Sequence, residues 1–120
     1  DVTEIVKRQR FDTPFGSYSD GWIDEHAKIV LTNGDSSRLI LKCYYPGKLA
    51  GGETCKIRVN GRQMDDIVFP ANTMYYEIPA APYQRFTVEF SCNFYVKGAK
   101  EHRGEENLAM VVKVVESLPE

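Results

Sequence analysis

Residues 85–96 alternate with a strict period of two: Phe86, Val88, Phe90, Cys92, Phe94 and Val96 are each separated by one residue, with Arg85, Thr87, Glu89, Ser91, Asn93 and Tyr95 between them. Successive side chains of an extended chain point to opposite sides, so this pattern specifies a strand with one buried face and one wet face. The pattern recurs at 38–45, where Leu39, Leu41, Cys43 and Tyr45 oppose Arg38, Ile40, Lys42 and Tyr44. It recurs again at Cys55, Ile57 and Val59, and at Met74, Tyr76 and Ile78.

The punctuation between these runs agrees with strands. Asn60-Gly61 is a two-residue hairpin signal, because both residues tolerate positive φ. Asn33-Gly34, followed by Asp35, Ser36 and Ser37, predicts a longer turn between strands at 27–32 and 38–45. Pro46-Gly47 ends the latter strand, and Pro70, Pro79 and Pro82 bound the run at 73–78. Further strands are expected at 18–23 and 3–11. The segment 108–118 is apolar on both faces, and its valine content and missing helix cap assign it to a strand. No segment offers a helix. About eight short strands predict an all-β fold, specifically a two-sheet antiparallel β-sandwich with jelly-roll or Greek-key connections, with a closed barrel as the alternative.

A chain of 120 residues suits one domain spanning 1–120. Its 15 basic and 17 acidic residues are interspersed, which leaves no electrostatic footprint for nucleic acid or an anionic membrane surface. No apolar run reaches the ~18 residues of a membrane-spanning helix, so membrane insertion is not expected. The opening Asp1-Val2-Thr3-Glu4 is neither a signal peptide nor an initiation site, so the chain is expected to be a fragment of a longer protein. Cys43, Cys55 and Cys92 are odd in number, form no Cys-x-x-Cys pair and lie on the apolar sides of their strands. Three buried thiols in a reducing, cytoplasmic setting are the expectation, with one disulfide plus a spare thiol as the alternative.

The chain carries no local motif for nucleophilic, phosphate or metal chemistry. His26 and His102 stand far apart and without cysteines at zinc spacing, so no metal and no cofactor are expected. Asp65-Asp66 and Glu105-Glu106 are adjacent pairs whose members point to opposite faces on a strand, which argues against a facing acid and base. The expectation is therefore not an enzyme. A small hydrolase built from distant carboxylates is the minor alternative.

Aromatic residues are the richer signal. The chain has seven tyrosines and one tryptophan, and the alternation turns Tyr44, Tyr75 and Tyr95 outward. Flat aromatic faces beside a few polar groups are the ordinary makings of a carbohydrate site. In Tyr18-Ser19-Asp20-Gly21-Trp22-Ile23-Asp24, Asp20-Gly21 predicts a turn that leaves Trp22 at a loop edge, as a core anchor or a ligand platform.

Three segments carry a resemblance: Tyr18 to Ile23, the hairpin Ile57-Arg58-Val59-Asn60-Gly61, and the ending in which Phe94 precedes His102-Arg103-Gly104-Glu105-Glu106-Asn107-Leu108 and a last strand. Over about 100 residues the chain resembles small β-sandwich accessory domains attached to bacterial glycosyltransferases and other proteins of surface-polysaccharide biosynthesis. Arg103 corresponds loosely to the arginine of their ending, but Gly104-Glu105-Glu106-Asn107 intervenes before Leu108, which is followed by Ala109 where they carry glycine. The resemblance implies a module without transferase activity that holds a growing glycan or positions the catalytic domain of its parent protein. Trp22, Tyr44, Tyr75 and Tyr95 are then the platform candidates, with Arg103 and Glu105 as polar partners. The competing reading is an assembly module that uses one sheet face for interdomain packing or dimerisation; the sequence leaves the oligomeric state open.

Overall fold

The structure, a computed structural model, describes residues 14–96 and 107–119. Nine antiparallel strands run through them: β1 (Phe15–Ser17), β2 (Trp22–Thr32), β3 (Arg38–Tyr44), β4 (Thr54–Val59), β5 (Arg62–Gln63), β6 (Ile67–Val68), β7 (Thr73–Pro79), β8 (Arg85–Cys92) and β9 (Leu108–Val115). There is no helix among the described residues. The expected strand at 3–11 lies outside them.

The all-β class agrees with the alternation, but the division into two sheets does not. All nine strands join one hydrogen-bonded sheet in the order β5-β4-β8-β2-β9-β3-β7, with β1 added to β2 and β6 to β4. The result is a single curled, open half-barrel. Strand β2 explains the difference. Two separate strands were expected at 18–23 and 27–32; instead Tyr18–Gly21 form a turn and one eleven-residue strand follows. The start of β2, Trp22 to Asp24, pairs with β9 through an irregularity between Ile23 and Asp24, and its end, His26 to Thr32, pairs with β8. One strand thus belongs to two wings of the sheet, and a bulge of this kind sharpens the local bend.

The wing β9-β3-β7 and the wing β8-β4 turn their apolar faces toward a shared core. Leu39, Leu41 and Cys43 of β3, Cys55, Ile57 and Val59 of β4, Phe86, Val88, Phe90 and Cys92 of β8, and Met110 and Val112 of β9 belong to it. Full burial of an aliphatic or aromatic side chain contributes about 1.5–3 kcal/mol before entropy is charged against it. At one end of the core Tyr45, Phe69 and Phe94 form an aromatic cluster, with ring centroids 4.8 Å apart for Tyr45 and Phe94 and 5.4 Å for Phe69 and Phe94. Phe94 keeps its inward position although β8 ends at Cys92, short of the expected boundary at 96. The last strand is likewise shorter than expected and ends at Val115; Leu108, Ala109 and Met110 are buried in succession, which accounts for its two apolar faces.

The hairpin at Asn60-Gly61 forms as the dipeptide predicts. Val59 faces Arg62 across a two-residue turn with φ of 51° at Asn60 and 81° at Gly61. Asn60 also docks the hairpin tip on β8: its Oδ1 accepts the Thr87 N–H at 2.8 Å, and its own N–H donates to the Thr87 carbonyl at 2.8 Å. A Cβ at Gly61 would meet no atom within 4 Å, so only the backbone disfavours a side chain there. Gly61→Ala should therefore lower stability by about 1–2 kcal/mol. Gly34→Ala, equally uncrowded but without a positive φ, should change it little; urea denaturation of both variants checks the contrast.

The turn after β2 is organised by a buried side chain. Asn33 Nδ2 donates to the carbonyls of Ser36 at 2.7 Å and Ala81 at 3.0 Å, which ties the Asn33–Ser37 turn to the Ala81–Gln84 loop. Asn33 is thus a structural residue whose amide serves two loops.

Candidate functional site

The turn before β2 places the tryptophan. Gly21 N–H donates to the Tyr18 carbonyl at 3.0 Å, Tyr18 N–H to the Trp22 carbonyl at 3.0 Å, and Asp20 Oδ1 accepts the Trp22 N–H at 3.3 Å. Gly21 has φ of 94°, and a Cβ on it would lie 3.1 Å from Val111 Cγ1 and 3.2 Å from the Val112 carbonyl. Glycine therefore lets this turn lie directly against β9. Tyr18 Oη donates to the buried Asp24 carboxylate, at 3.1 Å to Oδ1 and 3.2 Å to Oδ2.

Register then assembles an outward-facing row. Trp22 is opposite Val111, Val111 opposite Tyr44, and Tyr44 opposite Thr73. Residues directly opposite in an antiparallel ladder point to the same face. Ile23 and Met110, the next residues along β2 and β9, are fully buried, so the Trp22 row faces away from the core. The adjoining row on this face is Lys113, Lys42 and Tyr75. With strands about 4.8 Å apart, the first row extends about 14 Å across four strands.

The surface is shallow. Lys42, Tyr44, Thr73, Val111 and Lys113 line a recess of about 310 Å³. Tyr44 is 41% exposed, whereas Trp22, Val111 and Tyr75 are half-buried, with part of each ring or side chain on the surface. This is the geometry of an open aromatic and aliphatic floor edged by two cations. It suits a flat ligand lying across strands more than a reactant enclosed in a cleft.

Three of the four aromatic candidates, Trp22, Tyr44 and Tyr75, thus share one face. Tyr95 does not join them. It lies beyond β8, where it lines a separate recess with Tyr45, Gly47, Lys48 and Asn93, and its carbonyl accepts the Tyr45 hydroxyl at 3.4 Å. Arg103 and Glu105 lie outside the described residues, as do His102 and Glu106. Lys42 and Lys113 were not singled out from the sequence, although the alternation already put Lys42 on the same side as Tyr44. Lys113 could be found only by knowing that β9 pairs with β3.

The other sequence candidates within the described residues are His26 and the Asp65-Asp66 pair. His26 is exposed on β2 with Nδ1 3.1 Å from Ser91 Oγ. Asp65 and Asp66 are exposed between β5 and β6, and the Asp65 carbonyl accepts the Tyr76 hydroxyl at 2.6 Å. Burial, with added repulsion from the Asp65 and Asp66 carboxylates, raises the Tyr76 phenol above its ordinary value. Among the described residues, no group of three or more His, Cys, Asp and Glu side chains is placed to hold a metal ion.

The cysteines are buried, and two of them meet. Cys55 and Cys92 are directly opposite on β4 and β8, with Sγ of Cys92 donating to Sγ of Cys55 at 2.9 Å. Burial is the first cause that pushes the Cys43 thiol up to about 12, and that hydrogen bond to Cys55, followed by burial, raises Cys92 strongly. Reactive cysteines sit in exposed, electropositive surroundings that lower their values, so these thiols have the character of core residues.

No family profile, curated protein or solved structure matches the chain.

Proposed function

We propose that this domain is a non-catalytic carbohydrate-binding module and that its site is the outer face of the β2-β9-β3-β7 wing. The observation that carries the reading is the in-register row of Trp22, Val111, Tyr44 and Thr73, with Tyr75 one row away. Sugar rings present C–H faces to aromatic surfaces and hydroxyls to polar side chains, and this face offers both along a strip about 14 Å long. An open strip of this kind holds several residues of a chain without enclosing any one of them. That suits an accessory role beside the catalytic domain of a glycosyltransferase or another polysaccharide-synthesis protein, the setting expected from the sequence resemblance.

The experiment is a glycan-array screen followed by ligand-observed NMR on the hits, with Trp22→Ala, Tyr44→Ala and Tyr75→Ala variants checked for folding by circular dichroism. Weak binding is expected, with Kd on the order of 1 mM or somewhat tighter. Each aromatic truncation should weaken it about tenfold or more, equivalent to about 1.4 kcal/mol. Trp22 is the only tryptophan, so its fluorescence reports directly on the proposed surface. A flat response across the array, or binding untouched in all three folded variants, overturns the proposal and leaves this face to interdomain packing.

A further inference from the structure

Lys42 and Lys113 are directly opposite one another on β3 and β9, on the same face as the aromatic row, and both line its recess. Like charges at opposed positions of a ladder repel and destabilise the sheet. Among the described residues neither lysine has an ion-pair or hydrogen-bond partner. Glu77, two residues along β7 from Tyr75 on this face, pairs with Arg38 instead. The chain as a whole carries a net charge of -2, so an unneutralised pair of cations runs against its overall balance.

We infer that the ligand of this face is an anionic glycan, one whose carboxylate or phosphate sits between Lys42 and Lys113 while a neighbouring sugar ring lies on Tyr44. The inference rests on the carbohydrate-binding reading above and adds the charge class of the sugar. An anion shared by the two ammonium groups relieves their repulsion, and charge-assisted hydrogen bonds are the stronger kind. The half-buried stem of Lys42 is already held by the sheet, between Lys113 and Tyr75 in register, so ordering it costs little additional entropy. Val111 and Tyr44 supply the apolar surface beside the charges, which screens the pair less than open water does.

The test uses three probes against the whole chain: an oligogalacturonate, the same oligosaccharide with its carboxyl groups reduced to alcohols, and a phosphorylated oligomannoside. The expected result is that an anionic probe binds about tenfold or more tightly than the reduced one, and that the preference disappears in K42Q/K113Q and fades as salt rises. Whether the carboxylate or the phosphate probe binds better identifies which anion the pair accepts, and either one supports the inference. In the absence of ligand, K42Q/K113Q should melt at a higher temperature than the parent at low salt, because the repulsion is gone. Equal binding of the anionic and reduced probes, with loss in Trp22→Ala, overturns the anionic preference and leaves the carbohydrate platform standing. Failure of all three probes together with an empty glycan array overturns both.

Discussion

Replacing Phe94 with alanine is expected to lower the free energy of unfolding by about 3–5 kcal/mol, the range for losing a buried aromatic ring from a core. Phe94 is buried at the end of the half-barrel and touches both Tyr45, at 4.8 Å and 56° between ring planes, and Phe69, at 5.4 Å and 85°. Tilted and edge-on pairs add about 0.5–1.5 kcal/mol beyond the area they bury. These three residues follow β3, β6 and β8, so the cluster fastens the two wings of an open sheet at a point where no backbone ladder joins them. Since a domain of this kind is stable by about 5–15 kcal/mol in total, the variant should lose a large share of its stability.

Tyr45→Phe separates the ring from its hydroxyl. The Tyr45 hydroxyl makes only a long bond of 3.4 Å to the Tyr95 carbonyl, so its removal should cost less than about 1 kcal/mol. Guanidinium denaturation followed by circular dichroism measures both variants. A lower midpoint with an unchanged slope for Phe94→Ala is the expected pattern. A loss below about 1 kcal/mol would mean that the aromatic cluster packs independently of the cooperative core.

The second large effect concerns the thiols. In the folded chain at pH 8, Cys43, Cys55 and Cys92 should all be silent to Ellman's reagent, and in denaturant all three should react. With the Cys43 thiol pushed up from 9.0 to about 12, its thiolate population at pH 8 falls about a thousandfold, and the thiolate is the reacting species. Burial of all three then blocks access as well. Rapid labelling of even one thiol in the native state contradicts this arrangement.

The same displacement makes stability depend on pH in one direction. A thiol held neutral by burial supports the native state fully below its unfolded value, near 9.0, and that support is lost as pH rises toward about 12. Across this window Cys43 should contribute a fall of about 1.4 kcal/mol per pH unit. Cys43→Ala loses some packing but should reduce the alkaline slope, leaving the share contributed by the raised Cys92 and Tyr76. Denaturation midpoints taken between pH 8 and 11 distinguish the two effects, since packing loss is independent of pH and the titration is not.

Several features of the fold were legible from local pattern because their cause is local. The alternation of Phe86 through Phe94 places each ring inward through the pleat alone, whichever strands lie alongside. The same holds for the outward Tyr44 and Lys42, for the buried cysteines, and for Asn60-Gly61, whose positive φ angles depend on the two residues themselves. The bend in β2 was not legible. Its alternation is blurred where the strand leaves β9 and joins β8, and the Ile23/Asp24 irregularity hid one long strand behind what read as two short ones. Tyr95 showed the limit of the rule in another way: the alternation correctly sends it outward, but outward past the end of β8 is a different surface from outward on β3 and β7.

Along the strictly alternating strands β4 and β8 the sequence by itself determined which residues face in, which face out and where the tightest hairpin turns, because side-chain direction and turn geometry are steric properties of a few consecutive residues. Only the tertiary structure decided that the strands join one curled sheet, that Cys55 meets Cys92, and that Lys113 lies beside Lys42 and Trp22 in line with Tyr44. Those are choices of neighbour between distant segments. They are settled by how the whole set of apolar faces is buried at once and by the entropy of closing the loops between them, and no short window of residues contains either quantity.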